Sequence, residues 1–364
     1  MKIYTKISVL VIIFSIYFSL IPAQTKTRAA WRDPVRANSA IVASQHELAS
    51  KIGADIMKRG GNAVDAAIAV GLALAVVYPE AGNLGGGGFM LMHFKDGRTA
   101  AIDYREMAPK LASRNVFVDK DGNVIRGEGG STIGYRASGV PGTPAGFDMA
   151  FKKYGSGKIK WSELVEPARK LAADGYVLSY RLANLFKAYA KNLEKYEDSK
   201  RIFLKDGKFY NEGETFKQPD LAQTLQRMQT IGAKEFYTGK TAQLIAADMK
   251  AHNGLITLED LKNYVAKERE PLKGKYRGYD IISMPPPSSG GIVLMQVLGM
   301  LEKYDIKKMG YNSAEKIHLL AEAERRSFAD RAEYMADPDF ATVPLKQLLD
   351  KNYLLGRTDT INLT

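Results

Sequence analysis

The stretch Asn83-Leu84-Gly85-Gly86-Gly87-Gly88-Phe89-Met90 most narrows what this chain can fold into. Successive glycines carry a backbone-entropy cost on folding, so a run of them is kept where the chain turns sharply or where backbone passes close to something else. A short hairpin later comes Asp103-Tyr104-Arg105-Glu106-Met107-Ala108-Pro109. The pairing of tight backbone with one arginine suits a site for a small carboxylate, because guanidinium binds that group through two parallel hydrogen bonds. On the residues alone a second reading of Arg105 stays open. It could form a surface ion pair with Asp103 or Glu106, a contact worth little.

At 364 residues the chain is long enough for one large domain or two modest ones. Its hydrophobic and charged fractions, 45% and 25%, are those of an ordinary globular protein. The first residues differ. Lys2 and Lys6 precede an apolar run from Ile7 to Ile21, followed by Pro22-Ala23-Gln24. That pattern predicts a signal peptide over 1–23, cut after Ala23, in preference to a membrane anchor. The composition holds no cysteine, which excludes disulfides, lipoprotein attachment and thiolate zinc sites. The net charge of +12 is spread over scattered lysines with no basic helix or aromatic–basic motif, so it reads as a solvated surface and not a nucleic-acid site.

Residues 24–40 are polar and read as a mobile lead-in, with the body of the protein at 41–364. Ser44-Gln45-His46-Glu47 has the pattern of a capping box opening a helix that runs to about Arg59 and stops at Gly60-Gly61. Asn62 is placed to cap a second helix, from Ala63 to about Val77. Its small apolar residues suit burial in the core, and it is too short to cross a bilayer. Phe89–Phe94 and Thr99–Tyr104 flank the Asp-Gly turn of a hairpin, and another such turn falls at Asp121-Gly122. Residues from about 145 to 270 read as mostly helical, with a capping pattern at Thr257–Asp260. A strand is predicted at Tyr279–Ser283, a rigid turn at Met284–Gly291, and helices from about Ile292 and over about 313–335. The mixture of strands and long helices places the chain in the α/β or α+β class.

Asp119-Lys120-Asp121-Gly122-Asn123 resembles the start of a calcium loop, but Val124 and Gly130 stand where that loop needs glycine and a bidentate glutamate. His46, His93, His252 and His318 show no metal-ligand spacing. Gly85–Gly88 lacks the Gly-Lys-Ser/Thr ending of a P-loop and leads into a strand. Ser313-Ala314-Glu315-Lys316 fits Ser-x-x-Lys without its companion motifs, so Ser313 reads as a helix cap. Ser288 and Ser289 could face a ligand or merely shape a turn. No nucleophile–base constellation stands out.

The chain resembles the bacterial γ-glutamyltranspeptidases, or glutathione hydrolases, from about Ala40 to Phe340. The resemblance rests on Gly60–Ala67, Gly82–Phe89, Asp103–Pro109, Gly139–Thr143, Tyr276–Tyr279, Ser283–Gly291 and Asp330–Tyr334, long motifs in the family's order. It implies an N-terminal-nucleophile hydrolase with an αββα sandwich, made as a proenzyme that cuts itself into large and small subunits. A new N-terminal threonine then attacks the γ-glutamyl amide, its own amine serving as base. Water, an amino acid or a peptide resolves the γ-glutamyl-enzyme without metal or cofactor. By motif position Arg105 would hold the substrate α-carboxylate.

The resemblance covers most of a large subunit only. The family's Thr-Thr cleavage site is absent from this sequence. Thr358, Thr360 and Thr364 are not expected to be the nucleophile, and no catalytic residue is assigned within the chain. The resemblance therefore implies glutathione and other γ-glutamyl compounds as substrates, amino acids or dipeptides as acceptors, and a small subunit as partner. It also implies an exported, periplasmic or secreted setting. Two alternatives accompany this expectation, an inactive truncated product or γ-glutamyl-binding remnant, and a related cephalosporin acylase.

Overall fold

The computed structural model describes residues 34–205 and 208–363. The segment predicted to be a signal peptide lies outside them. The chain divides into two units, Met1–Ile41 and Val42–Thr364. In the first, residues 34–41 are exposed and form neither helix nor strand.

The second unit opens with helix α1, Glu47–Lys58. Its cap is His46 and not Ser44, a correction to the pattern read from sequence. His46 is extended, and its imidazole nitrogen accepts the Leu48 N–H at 3.2 Å. The Ser44 hydroxyl instead donates to the His46 carbonyl at 3.0 Å. Gly60, at φ +96°, turns the chain beyond α1. Asn62 then caps α2, Ala63–Val77, accepting the N–H groups of Val64 and Asp65, while the Asp65 carboxylate accepts the Asn62 N–H. The cap at Asn62 is as the sequence predicts, and the return bond to Asp65 makes it a reciprocal box.

Helix α2 is buried on nearly every side. Its small residues admit neighbours closely: a Cβ on Gly53 of α1 would lie 2.6 Å from Val70. Helix α2 packs against α1, against α3 (Thr143–Tyr154) and against α4 (Trp161–Asp174), and α4 in turn lies along α5 (Pro219–Ile231). The Trp161 indole, at the start of α4, donates to the Met228 carbonyl at 2.9 Å. This layer carries the main apolar core, including Ile68, Leu72, Leu164, Leu225 and Phe216.

Strands β1 (Phe89–His93) and β2 (Thr99–Asp103) form the expected hairpin, registered Phe89↔Asp103 through His93↔Thr99. The turn is tightened by Gly97 at φ +83°. A third strand, β3 (Lys267–Arg269), comes from far along the chain and pairs antiparallel with β2, Asp103↔Lys267 and Ala101↔Arg269. The predicted Tyr279–Ser283 strand, β5, pairs with β4 (Leu272–Tyr276) as a separate ribbon. Tyr176–Val177 and Thr215–Phe216 make a third small sheet within the mostly helical region.

After the ribbon, α6 (Gly290–Leu301) starts two residues earlier than the sequence suggests. It packs on α7 (Ala314–Tyr334) and α8 (Lys351–Asp359), with Ile292, Met300, Leu319 and Leu354 buried there. Ser313 caps α7 by accepting the Lys316 N–H at 3.2 Å, so Ser-x-x-Lys here is a helix start. The class is mixed α and β, as expected.

Candidate functional site

The site forms where β2 ends. Asn83 organises the glycine run: its side-chain oxygen accepts the Gly86 N–H at 3.1 Å and the Thr143 hydroxyl at 2.6 Å. The Gly86 carbonyl then accepts the N–H groups of Gly142 and Thr143. Gly88 continues the hairpin ladder, exchanging backbone hydrogen bonds with Tyr104 at 3.0 and 3.3 Å.

The glycines are needed for close approach. A Cβ on Gly87 would lie 2.5 Å from the Tyr104 carbonyl oxygen and 2.9 Å from the carbonyl carbon of Arg105. On Gly142 it would overlap both the Tyr104 carbonyl and the Tyr264 phenol. Tyr104 is buried beneath, edge-on to Phe147, and burial pushes its hydroxyl up to about 12. The backbone of residues 104–106 is therefore sandwiched between two glycine-bearing loops.

Arg105 sits on top, exposed. Its backbone is held from both ends. The N–H donates to Asp103 Oδ1 at 3.1 Å, and the carbonyl accepts the Tyr264 phenol at 2.7 Å. Its guanidinium has no ion-pair partner among the described residues, although Asp103 and Glu106 are near neighbours in sequence. Of the two readings left open by the sequence, the surface ion pair is not the one adopted.

Asp103 is occupied elsewhere. This carboxylate is only 7% exposed, and its Oδ2 accepts Arg269 Nε at 3.2 Å and Nη2 at 3.1 Å. Arg269 also makes a two-pronged pair with Asp339, at 2.8 and 2.6 Å, and Lys267 Nζ reaches the same carboxylate at 2.6 Å. Hydrogen bonds from Arg269 first and Lys267 second hold the Asp339 carboxyl well below the usual carboxylate range. Burial raises the Tyr264 hydroxyl pKa, which keeps it a neutral donor.

These groups line a cleft of about 540 Å³. Its far wall is the end of α7 and the turn after β5. There Arg331 donates to the Ser289 hydroxyl at 2.9 Å. Ser289 lines the cleft, whereas Ser288 accepts the Gly290 N–H and shapes the turn. The cleft thus presents the unpaired guanidinium of Arg105, with Glu106 beside it, together with Arg331 on the Ser289 hydroxyl and the mutually paired Asp103, Arg269, Lys267 and Asp339. That arrangement can bind a small carboxylate.

Several groups stand apart. Asp119 accepts the N–H groups of Asp121 and Asn123 and so closes a plain turn. No cluster of three or more His, Asp or Glu suited to a metal occurs among the described residues. Thr358 is buried and donates to the Leu354 carbonyl, while Thr360 is held between Arg326 and the Arg357 carbonyl. Thr364 lies outside the described residues. Sequence reasoning did not single out Tyr264, Arg269, Asp339 or Arg331 for the cleft. Arg331 fell within a motif quoted for the resemblance, but nothing local marks the other three.

The fold is that of a known class. The chain has a TM-score of 0.88 to the crystal structure of Helicobacter pylori gamma-glutamyltranspeptidase, with 48% identity, covering 90% of this chain and 94% of that one. For gamma-glutamyltranspeptidase from Pseudomonas nitroreducens complexed with L-DON the TM-score is 0.84 at 43% identity, covering 90% and 96%. The Gamma-glutamyltranspeptidase family profile matches residues 49–364. The glutathione hydrolase proenzyme of Escherichia coli (strain K12) is 49% identical over 331 residues, 91% of this chain and 56% of that protein. The chain belongs to the gamma-glutamyltranspeptidase family, and it spans a little over half the length of such curated relatives. No helix among the described residues is long and apolar enough to cross a membrane.

Proposed function

We propose that this chain supplies the carboxylate-binding part of a γ-glutamyltransferase, an enzyme that cleaves glutathione and other γ-glutamyl amides and passes the γ-glutamyl group to water, an amino acid or a dipeptide. The observation that carries the proposal is the unpaired guanidinium of Arg105, fixed at both ends of its own backbone and facing a cleft. Arg105 is the ligand of the substrate α-carboxylate, held by two parallel hydrogen bonds. The nucleophile is a threonine contributed by a small subunit, which packs with this chain as a heterodimer. The basic, then apolar, amino-terminal segment supports export to the periplasm or outside the cell.

Calorimetric titration of the purified protein with glutathione tests this. Saturable binding is expected, and Arg105→Ala should weaken it on the order of 10- to 100-fold, the worth of charge-assisted hydrogen bonds. Equal affinities, or no saturable binding by the parent protein, would overturn the reading.

A further inference from the structure

Arg105 lies two residues from a buried carboxylate, yet its guanidinium is free. Asp103 uses Oδ1 for the Arg105 N–H and Oδ2 for Arg269. Arg269 is 15% exposed in its side chain and is itself anchored by both oxygens of Asp339. Lys267 stands directly across from Asp103 in the β2–β3 register but turns to Asp339. Two cations and two carboxylates thus neutralise one another and leave Arg105 outside the count.

We infer that Arg269 is a positioning residue whose task is to keep Asp103 from pairing with Arg105, so that the Arg105 guanidinium stays available to a carboxylate ligand. The inference builds on the proposed role of Arg105. Without Arg269, Lys267 alone would face both Asp103 and Asp339. A buried carboxylate without a counter-charge is strongly disfavoured, so a nearby cation is drawn in. With Lys267 held by Asp339, that cation is Arg105, whose backbone N–H already bonds Asp103. Ligand binding would then have to break an internal ion pair first. Arginine suits this post because its planar fork engages Asp103 on one side and Asp339 on the other.

Labelling by phenylglyoxal, followed by peptide mapping, reads the state of Arg105 with neither turnover nor a bound ligand. In the parent protein Arg105 should label fast, and the buried Arg326 should stay protected as a marker of folding. Arg269→Met should slow labelling at Arg105 on the order of fivefold, the population that a partly buried ion pair withdraws. Adding Asp103→Asn should restore the parent rate, since asparagine still accepts the Arg105 N–H but carries no charge to compete. A folded Arg269→Met protein that labels at the parent rate, or slowing that persists in the double variant, would overturn the inference. If Arg269→Met fails to fold, Arg269→Gln, which keeps a neutral hydrogen-bond donor for Asp103 but no charge, should also slow labelling at Arg105. Parent-rate labelling in that folded variant would overturn the inference equally. Protection of Arg105 by added glutathione is scored separately: its absence counts against the proposed substrate role and leaves the labelling comparison intact.

Discussion

The phenol of Tyr264 donates a 2.7 Å hydrogen bond to the carbonyl of Arg105, a residue 159 positions earlier. Together with the Asp103 carboxylate on the Arg105 N–H, it pins the backbone on both sides of one α-carbon. A guanidinium on a long side chain is mobile, and ordering it on binding costs conformational entropy. Fixing the backbone leaves only the side chain to order.

Tyr264→Phe removes that donor and leaves the ring stacked on Tyr237. The Arg105 carbonyl loses its only side-chain donor among the described residues. Glutathione affinity is expected to fall about fivefold, the effect of one hydrogen bond of roughly 1 kcal/mol. Calorimetric titration checks this, and unchanged affinity would show that the bond does not position Arg105.

Two neighbouring glycines should respond differently to alanine. At Gly85 an added Cβ meets nothing within 4 Å, so Gly85→Ala is expected to be near neutral. At Gly87 the Cβ would press on the Tyr104 carbonyl at 2.5 Å, and the Arg105 segment would have to move. A loss of about 1–3 kcal/mol is expected there, the usual cost of overpacking. Urea denaturation of both variants makes the comparison, and equal midpoints would contradict it.

The Asn62 cap serves two elements. Its oxygen accepts from Val64 and Asp65, and its amide donates to the Tyr154 carbonyl at 2.7 Å, at the end of α3. Asn62→Ala should cost about 1–2 kcal/mol, the upper part of the range for lost caps. A thermal or chemical melt tests it, and a loss under half that value would mean that Asp65 alone closes the helix.

Glu166 gives a pH prediction. Hydrogen bonds from Arg169 first, with Gln229 assisting, lower its carboxyl from the usual 4.5 to about 2. A carboxylate depressed in the folded state stabilises that state fully above its unfolded value. The contribution declines as pH falls below about 4.5 and is gone below about 2. Glu166→Gln should therefore flatten the dependence of stability on pH within that window and leave its shape near neutrality alone. Parallel profiles for parent and variant through the acid range would contradict the assignment.

The local features were legible because their physics is local. Asn62, Ser313 and the Thr257–Asp260 pair satisfy backbone groups within three residues of themselves, and Asp96-Gly97 closes a turn from its own dihedral preferences. His46 defeated the Ser44 pattern because both side chains can reach amides at the same helix start, and the extended backbone at His46 decided between them. The glycine run was readable as a place of close approach, but what approaches it was not.

The sequence by itself determined the caps at Asn62, Thr257 and Ser313, the hairpin, the buried α2 and the candidacy of Arg105, because short-range hydrogen bonding and hydrophobic patterning act over a few residues. Only the tertiary structure decided whether Arg105 would be free. Asp103, a carboxylate two residues before it in sequence, is claimed by Arg269 across a strand pairing that joins residues 166 apart. Ion pairs form between neighbours in space, and the competition for Asp103 is settled only once β3 has docked beside β2.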